Sequence, residues 1–448
     1  MLLSHASASA QSPTTRPITW NDVSSLHAHL EARGISSASF ASYLERIRDS
    51  NSKRVREGDL DHLVFYMLQS RRVTSLPPIE PALSAKAFVN MLSDQERGVF
   101  LRYATAPSAR VPADVRTRVT ALIRALESPG KDARLLYFRE LAGATFPNQH
   151  DKEAALIREY IRAMRFVYEK EFVAQQSSDR TTRVVELYRS RGLSTDTAVE
   201  AGYLVYLGLG IIKSLDPQRQ IRRVLIVGPG LDLAPRTALH DESPPQSYQP
   251  WAVIDALVSL KLAWMNDLTV LGADINPRVV NHLRRAAADP PVLTLTSEIR
   301  ETSAVTLTPD YRDYFTGLGS AIGTARQSNR RSNPLSKTVQ VSDAAARSLN
   351  AAALDIVTER LDAAPFDLVV ATNILPYFDD VQLTLALTNV SAMLGPGGMF
   401  LHNESRALVG DVTDALGVKF EQSRHAAIAT VQGAPPLGDS VFIHRKTQ

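Results

Sequence analysis

The spacing of apolar residues changes along the chain, and the change divides it in two. Over residues 17–215 the apolar positions recur every three or four residues, as they do on one face of a helix. The clearest example is Ala154–Phe172, one face of which carries Ile157, Ile161, Met164 and Tyr168. This pattern predicts a helical domain over residues 17–195, preceded by a disordered tail over residues 1–16. No chemistry is evident from the sequence of that half.

After Arg223 the apolar residues come in short continuous runs, which is typical of buried parallel strands. Val224–Val227 ends at Gly228-Pro229-Gly230, where glycines without Cβ atoms allow a ligand to lie against the backbone. Thr269–Asp274 ends in a carboxylate, and Phe366–Asn373 ends in polar residues. In an open α/β sheet, cofactors bind at the carboxyl ends of the strands, so these ends are the predicted binding edge.

Four segments in this order resemble the class I S-adenosylmethionine-dependent methyltransferases over residues 222–448: VLIVGPGLD, GADINPRVV, PFDLVVATNILPYF and MLGPGGMFLHNE. The turn at Gly395–Gly398, between a helix and a strand, is the most specific of them. The resemblance implies an α/β domain over residues 196–448, with a Rossmann-like, mostly parallel sheet of seven strands whose last strand is antiparallel. It also implies S-adenosyl-L-methionine as the cofactor. The chain departs from the family at Leu231-Asp232, where a further small residue is usual.

The resemblance further implies a set of cofactor-binding residues on the strand ends. Asp274 would accept hydrogen bonds from the ribose, and Glu359 would lie near the adenine amino group. Asp232 either pairs with the ammonium group of the cofactor or stabilises a turn. The full expected set is Gly228, Pro229, Gly230, Asp232, Asp274, Ile275, Asn276, Glu359, Asn373 and Ile374.

Two residues are candidates for a catalytic role. Tyr377 follows the fourth strand and either packs against the acceptor or caps the core. The run Asn373–Tyr377 is similar both to the box of amino-group methyltransferases and to a run in chemotaxis-receptor carboxyl methyltransferases, so the subfamily stays open. His402, at the end of the fifth strand, is either a general base or a structural histidine. The histidines lack metal-binding spacing, and we expect no metal site.

An insertion over residues 289–350 complicates the choice of the third strand. Val292–Ser297 and Leu354–Thr358 both qualify, and the second is favoured because it leads by a short link into the strand at Phe366. The insertion then begins at the end of the sheet opposite the cofactor; with the first choice it becomes a lid over the active site. We expect the helical half to cover the acceptor pocket, and the segment Tyr311–Phe315 is a second candidate for acceptor selection.

Composition restricts the partners. The net charge is only +3 and no basic stripe is visible, so we expect a small-molecule or protein acceptor and no duplex nucleic acid. No apolar segment is long enough for a membrane span. The absence of cysteine is compatible with a cytoplasmic protein, although MLLSHASASAQS has the ending of an export signal. The sequence does not indicate an oligomeric state.

Two other classes of function compete with methyl transfer. A nicotinamide-dependent oxidoreductase would need a third glycine after Gly230 and an acid about twenty residues farther on. A non-catalytic scaffold would not need the glycines and Asp274 that are present here.

Overall fold

The computed structural model describes residues 13–147, 151–233, 244–327 and 335–447. Its strands are β1 (Thr14–Pro17), β2 (Arg223–Val227), β3 (Thr269–Asp274), β4 (Val292–Thr296), β5 (Val305–Leu307), β6 (Gly323–Gln327), β7 (Ser336–Val341), β8 (Leu349–Ala353), β9 (Glu359–Asp362), β10 (Phe366–Ala371), β11 (Leu394–His402), β12 (Val418–Val431) and β13 (Ala434–Lys446).

The α-helices are α1 (His27–Glu31), α2 (Ser37–Gln69), α3 (Pro81–Asn90), α4 (Asp94–Tyr103), α5 (Ala113–Glu127), α6 (Ala133–Thr145), α7 (Lys152–Tyr168), α8 (Arg180–Ser190), α9 (Val199–Leu215), α10 (Gln249–Ser259), α11 (Pro277–Ala288), α12 (Pro309–Gly317), α13 (Asp343–Ser348), α14 (Asp380–Met393) and α15 (Ala407–Ala415). Short 3-10 or π turns lie at Trp20–Leu26, Ser108–Arg110, Glu169–Val173, Ala174–Gln176, Met265–Asp267 and Leu375–Tyr377. No helix among these residues is both long and apolar enough to cross a membrane.

The main sheet has the order β5-β12-β13-β11-β10-β2-β3-β8 in the described residues. Strands β11, β10, β2, β3 and β8 are parallel to one another, whereas β13 runs antiparallel to both β11 and β12. The α/β class and the reversed last strand therefore agree with the prediction. The sheet has eight strands and not seven, because β5 from the insertion pairs with the far end of β12.

The third parallel strand is β8, and both predicted runs were wrong. Val292–Thr296 is β4, which belongs to a separate antiparallel sheet with β7 and β6. Residues 354–358 follow β8 as a loop and turn. The sequence of β8, LNAAA, has no β-branched residue, and it is a strand because Ala351 and Ala352 fit opposite Gly272 and Ala273 of β3.

The first described residues form a strand of a separate two-stranded sheet and not a tail. Thr14–Pro17 forms β1, which pairs antiparallel with β9, so the prediction for residues 13–16 was wrong; residues 1–12 lie outside the described part. Val23, Leu30 and Phe40 then pack into the core that covers one face of the sheet. The proposed domain boundaries therefore do not follow the hydrophobic cores.

Helix α2 joins the two halves of the molecule. Its first half contributes Phe40, Leu44 and Ile47 to the core on the sheet. Its second half, from Leu60 to Leu68, contributes to a helical core formed with α3 and α5–α7. A single 33-residue helix therefore fixes the helical core relative to the strand ends.

Candidate functional site

A cavity of about 500 Å³ lies at the carboxyl ends of β2, β3, β8 and β10. The walls come from the ends of these strands, and the cover comes from α2, α8 and residues 191–198, which we call the roof segment. Seven residues of the expected cofactor set line it: Gly228, Gly230, Asp274, Ile275, Asn276, Asn373 and Ile374. Tyr377 lines it as well.

The two glycines after β2 have left-handed backbones, with φ of 67° at Gly228 and 76° at Gly230. A Cβ at Gly230 would lie 2.3 Å from the Thr195 carbonyl oxygen, and one at Gly228 would lie 2.4 Å from Cγ2 of Ile374. Gly230 is therefore needed for close packing of the roof segment, Gly228 is needed for close packing of Ile374, and both leave a bare backbone. Pro229, between them, does not line the cavity.

Asp274 ends β3 inside the cavity and is only 5% exposed. Its Oδ1 accepts a hydrogen bond of 2.8 Å from the backbone N–H of Asn276. Burial raises the pKa of Asp274 to about 7, although backbone N–H groups at Asn276 and Gly230 oppose the shift. Asp59 of α2 adds to the shift and also binds Nδ2 of Asn276 at 3.1 Å. The helical half thus reaches the strand end that carries the central carboxylate.

Asp355, and not Glu359, is the acid at the end of the third strand. It lines the cavity, and its Oδ2 accepts a 3.0 Å hydrogen bond from Nδ2 of Asn51. Glu359 is outside the cavity lining, where its Oε2 accepts a hydrogen bond from the backbone N–H of Asp355. The prediction failed because the strand was placed five residues too late; the acid that ends LNAAALD is the signal that identifies Asp355.

The end of β10 is held by Asn403 and Asp439, which the sequence did not single out. Asn373 has a φ of 62°, a strained value for a residue with a Cβ. Its backbone N–H donates to Oδ1 of Asn403, whose Nδ2 donates back to Oδ1 of Asn373, each at 2.8 Å. Nδ2 of Asn403 also donates to Asp439 at 2.7 Å. Asn403 and Asp439 line the cavity, so β11 and β13 contribute to the site.

Tyr377 is mostly buried and meets Tyr188 of α8 edge-to-face, with ring centroids 5.3 Å apart. Burial raises its pKa, while Arg191 opposes the shift. The backbone carbonyl of Tyr377 accepts a 3.1 Å hydrogen bond from Arg54 of α2. Tyr377 is thus a wall of the cavity that is neutral near physiological pH.

His402 is in the core and does not line the cavity, which corrects its assignment as a candidate base. Its Nε2 lies 3.2 Å from Nδ1 of His444, and its Nδ1 accepts from the backbone N–H of Glu404. Burial, together with His444, lowers the pKa of His402 well below its usual value. The ring stacks on Phe442, which makes it a structural histidine.

Asp232 secures the roof segment and does not line the cavity. Its Oδ1 accepts from the backbone N–H of Thr197 at 3.1 Å, and Asp196 accepts from the backbone N–H of Leu233. Burial raises the pKa of Asp232, and Asp196 and Glu298 raise it further. Three acids thus gather where the roof segment meets the glycine turn.

The insertion reaches the site through Glu298, which lines the cavity. Its aromatic segment does not, because Tyr311, Tyr314 and Phe315 are buried in the core against Tyr203 of α9. Tyr311–Phe315 is therefore not a wall of the pocket, contrary to the expectation. Residues 328–334 of the insertion lie outside the described part.

No family model matches this chain, and no curated protein matches it. It is similar to solved structures of methyltransferases. The N-methyltransferase NodS from Bradyrhizobium japonicum WM9 is 15% identical, with a TM-score of 0.27 over 55% of this chain and 94% of that one. The magnesium protoporphyrin IX methyltransferase ChlM from Synechocystis PCC 6803 is 9% identical, with a TM-score of 0.30 over 61% and 99%. A TehB-like S-adenosylmethionine-dependent methyltransferase from Corynebacterium glutamicum is 10% identical, with a TM-score of 0.27 over 55% and 88%. The function of this chain is therefore inferred from its own strand order and cavity.

The described groups give the cavity distinct chemical regions. Asp274 and Asp355 offer carboxylates to hydroxyl or amino donors at the ends of neighbouring strands. Asp196 and Glu298 suit a cationic group beside the glycine turn. Among the described residues, no group of three or more His, Cys, Asp or Glu side chains is arranged to hold a metal ion.

Proposed function

We propose that this protein transfers a methyl group from S-adenosyl-L-methionine to an acceptor bound in the cavity. The observation that carries the proposal is the strand order, with β13 reversed between β11 and β12, combined with a cavity at the carboxyl ends of the parallel strands. This is the arrangement that the resemblance of the four sequence segments implies.

The residues present suit that cofactor. Gly228 and Gly230 present bare backbone to the cavity, and Asp274 in the same lining would accept hydrogen bonds from the ribose hydroxyls. Asp355 takes the place first assigned to Glu359, near the adenine amino group. Asp196 and Glu298 supply negative charge for the ammonium and sulfonium groups.

The strand order also speaks against a nicotinamide-dependent oxidoreductase. The sheet that binds dinucleotides has six parallel strands in the order 3-2-1-4-5-6. Here an antiparallel strand stands between β11 and β12, and no third glycine follows Gly230. A scaffold without activity would not need a buried carboxylate such as Asp274 in the lining of a cavity.

Methyl transfer requires the protein mainly to align the acceptor with the methyl group of the cofactor. S-adenosylmethionine supplies an activated methyl group on its sulfonium. The walls hold the acceptor atom in line with that group and exclude water. Tyr377 and Asn373 line the cavity beyond the end of β10, and we assign them to orienting the acceptor.

The acceptor is a small molecule or a side chain of a protein. The roof segment, α2 and α8 cover the cavity, and about 500 Å³ must hold both the cofactor and the acceptor group. That volume is in the usual range for ligand pockets and leaves no room for a nucleic-acid duplex. Tight, salt-sensitive binding of the protein to duplex DNA would argue against this acceptor class.

Calorimetry with S-adenosylmethionine, S-adenosylhomocysteine and NAD tests the proposal on the full chain. We expect the two adenosyl compounds to bind and NAD not to bind. Asp274→Asn should weaken S-adenosylhomocysteine binding by roughly 1–3 kcal/mol, because a charge-assisted hydrogen-bond pair is lost. Asp267→Asn is the matched control, since Asp267 is exposed in the turn just before β3, away from the cavity. Binding of NAD alone, or equal affinities in all variants, would refute the proposal.

A further inference from the structure

Arg191 is the one cationic residue among the described residues that line the cavity. It is 8% exposed and begins the roof segment after α8. Of its guanidinium nitrogens, only Nη2 donates to a described acceptor, Oδ2 of Asp61, over 3.3 Å. Nε is buried without a hydrogen-bond partner. A buried guanidinium with unused donors beside a cavity indicates that part of its binding capacity is reserved for a ligand.

The carboxylate next to Arg191 does not neutralise its surroundings. Asp61 is shared with Arg162, whose Nη2 lies 2.8 Å from Oδ1 of Asp61. Arg54, 8% exposed, donates only to the backbone carbonyls of Tyr188, Arg191 and Tyr377 and forms no ion pair among the described residues. Of the nearby acids, Glu159 is bound to Arg162, Glu57 pairs with Lys53 at 3.7 Å, and Asp379 caps the N-terminus of α14. Arg54 therefore gives this corner of the cavity a buried positive charge that no carboxylate pairs with among the described residues.

The walls around Arg191 are aromatic. Its guanidinium carbon lies 3.9 Å from the ring centre of Phe166 and 5.7 Å from that of Tyr188. Tyr188 and Tyr377 both face the cavity. The other charged residues that line it are acids, so an anionic group is repelled elsewhere in the cavity and attracted here. The described acids of the lining are Asp196, Asp274, Glu298, Asp355 and Asp439.

We propose that Arg191 is the receptor for a carboxylate of a ligand bound in this cavity, next to the tyrosine pair Tyr188–Tyr377. The planar fork of the guanidinium suits the two oxygens of a carboxylate. The carboxylate belongs either to the amino-acid part of the cofactor or to the acceptor. The first source rests on the proposed function, and the second does not.

The experiment uses the full chain and four probes. S-adenosylhomocysteine carries the amino-acid carboxylate, and 5′-methylthioadenosine has the same nucleoside without it. Benzoate is an aromatic carboxylate without a nucleoside, and benzamide is its neutral counterpart. Binding of each is measured by calorimetry in wild type, Arg191→Met and Arg191→Lys.

Arg189→Met is the matched control. Arg189 lies two residues away, outside the cavity lining, and pairs with Asp380. Arg191→Met leaves Asp61 paired with Arg162, and Arg191→Lys keeps the charge, so at least one variant should fold.

With the cofactor as the source, Arg191→Met weakens S-adenosylhomocysteine at least about tenfold and leaves 5′-methylthioadenosine unchanged. With the acceptor as the source, both adenosyl affinities are unchanged, and the preference for benzoate over benzamide is lost. Arg191→Lys regains only part of the affinity in either case, because lysine keeps the positive charge but lacks the planar fork of the guanidinium.

The proposal is overturned if Arg191→Met weakens the two adenosyl compounds equally while Arg189→Met does not, since that marks a structural role. It is also overturned if S-adenosylhomocysteine affinity is unchanged and wild type binds benzoate no better than benzamide. Failure of every adenosyl compound to bind wild type contradicts the proposed function. An Arg191-dependent preference for benzoate would even then support the carboxylate receptor.

Discussion

At the scale of single residues, Asp274 combines a cost to stability with a proposed role in binding the cofactor. Its pKa in the folded protein, about 7, lies above the value of an exposed aspartate, about 3.9. The folded state therefore keeps a proton that the unfolded chain releases, and the free energy of unfolding falls as pH rises from about 4 to 7. Asp274→Asn should unfold less readily than wild type at pH 8, by a few kcal/mol at most, and this advantage should vanish below pH 4.

Urea unfolding at several pH values measures this difference, with Asp267→Asn, in the exposed turn before β3, as the control. The same Asp274→Asn protein should bind S-adenosylhomocysteine more weakly. A variant that loses both stability at pH 8 and affinity would show that Asp274 is a structural carboxylate and not a binding group.

At the scale of elements, helix α2 holds the roof segment through a contact between two backbones. A Cβ at Gly58 would lie 1.9 Å from the Leu193 carbonyl oxygen, and one at Gly192 would lie 2.3 Å from the Gly58 nitrogen. The backbone N–H of Leu193 also donates to the Arg54 carbonyl at 2.8 Å. Gly58→Ala should therefore displace the roof segment, cost roughly 1–3 kcal/mol in the free energy of unfolding, and weaken S-adenosylhomocysteine binding.

The control for this contact is Gly98→Ala, because Gly98 is in helix α4 with open space around it. Alanine in an exposed helix is more favourable than glycine, so Gly98→Ala should gain up to about 1 kcal/mol. If Gly58→Ala were to show the same gain with unaltered binding, the roof segment would not depend on α2.

At the scale of the whole molecule, residues 18–47 stabilise the sheet rather than the helical half. Leu30 is fully buried in the core on the sheet, and Leu122 of α5 is fully buried in the helical core. Leu30→Ala should cost about 2–5 kcal/mol and increase hydrogen exchange at the amides of β10. Leu122→Ala should cost a similar amount but increase exchange first in α5 and α7.

Hydrogen exchange followed by mass spectrometry distinguishes these responses. An increase confined to residues 18–47 in Leu30→Ala would show that this segment is an independent addition. With the expected result, deletion of the helical half would remove part of the sheet's own core, and acceptor selection has to be tested with single substitutions in the roof segment.

The sequence by itself determined the elements whose pattern depends on neighbouring residues. The alternation of apolar runs and turns located β2, β3, β10 and β11, because a strand buried on both faces must be apolar throughout. Glycine at positions with left-handed backbone, and an acid at the end of β3, located in the same way the edge of the sheet at which the cavity lies. These signals are local, so they can be read before any contact is known.

The tertiary structure decided everything that depends on contacts distant in sequence. LNAAA is a strand because β3 offers small residues opposite it, and this moved the third acid from Glu359 to Asp355. His402 points into the core, and Asn403 after it reaches the cavity. Arg191 gained its role only when the roof segment crossed the strand ends beside Tyr377. In each case the burial and the partner of a side chain come from packing, which no local pattern encodes.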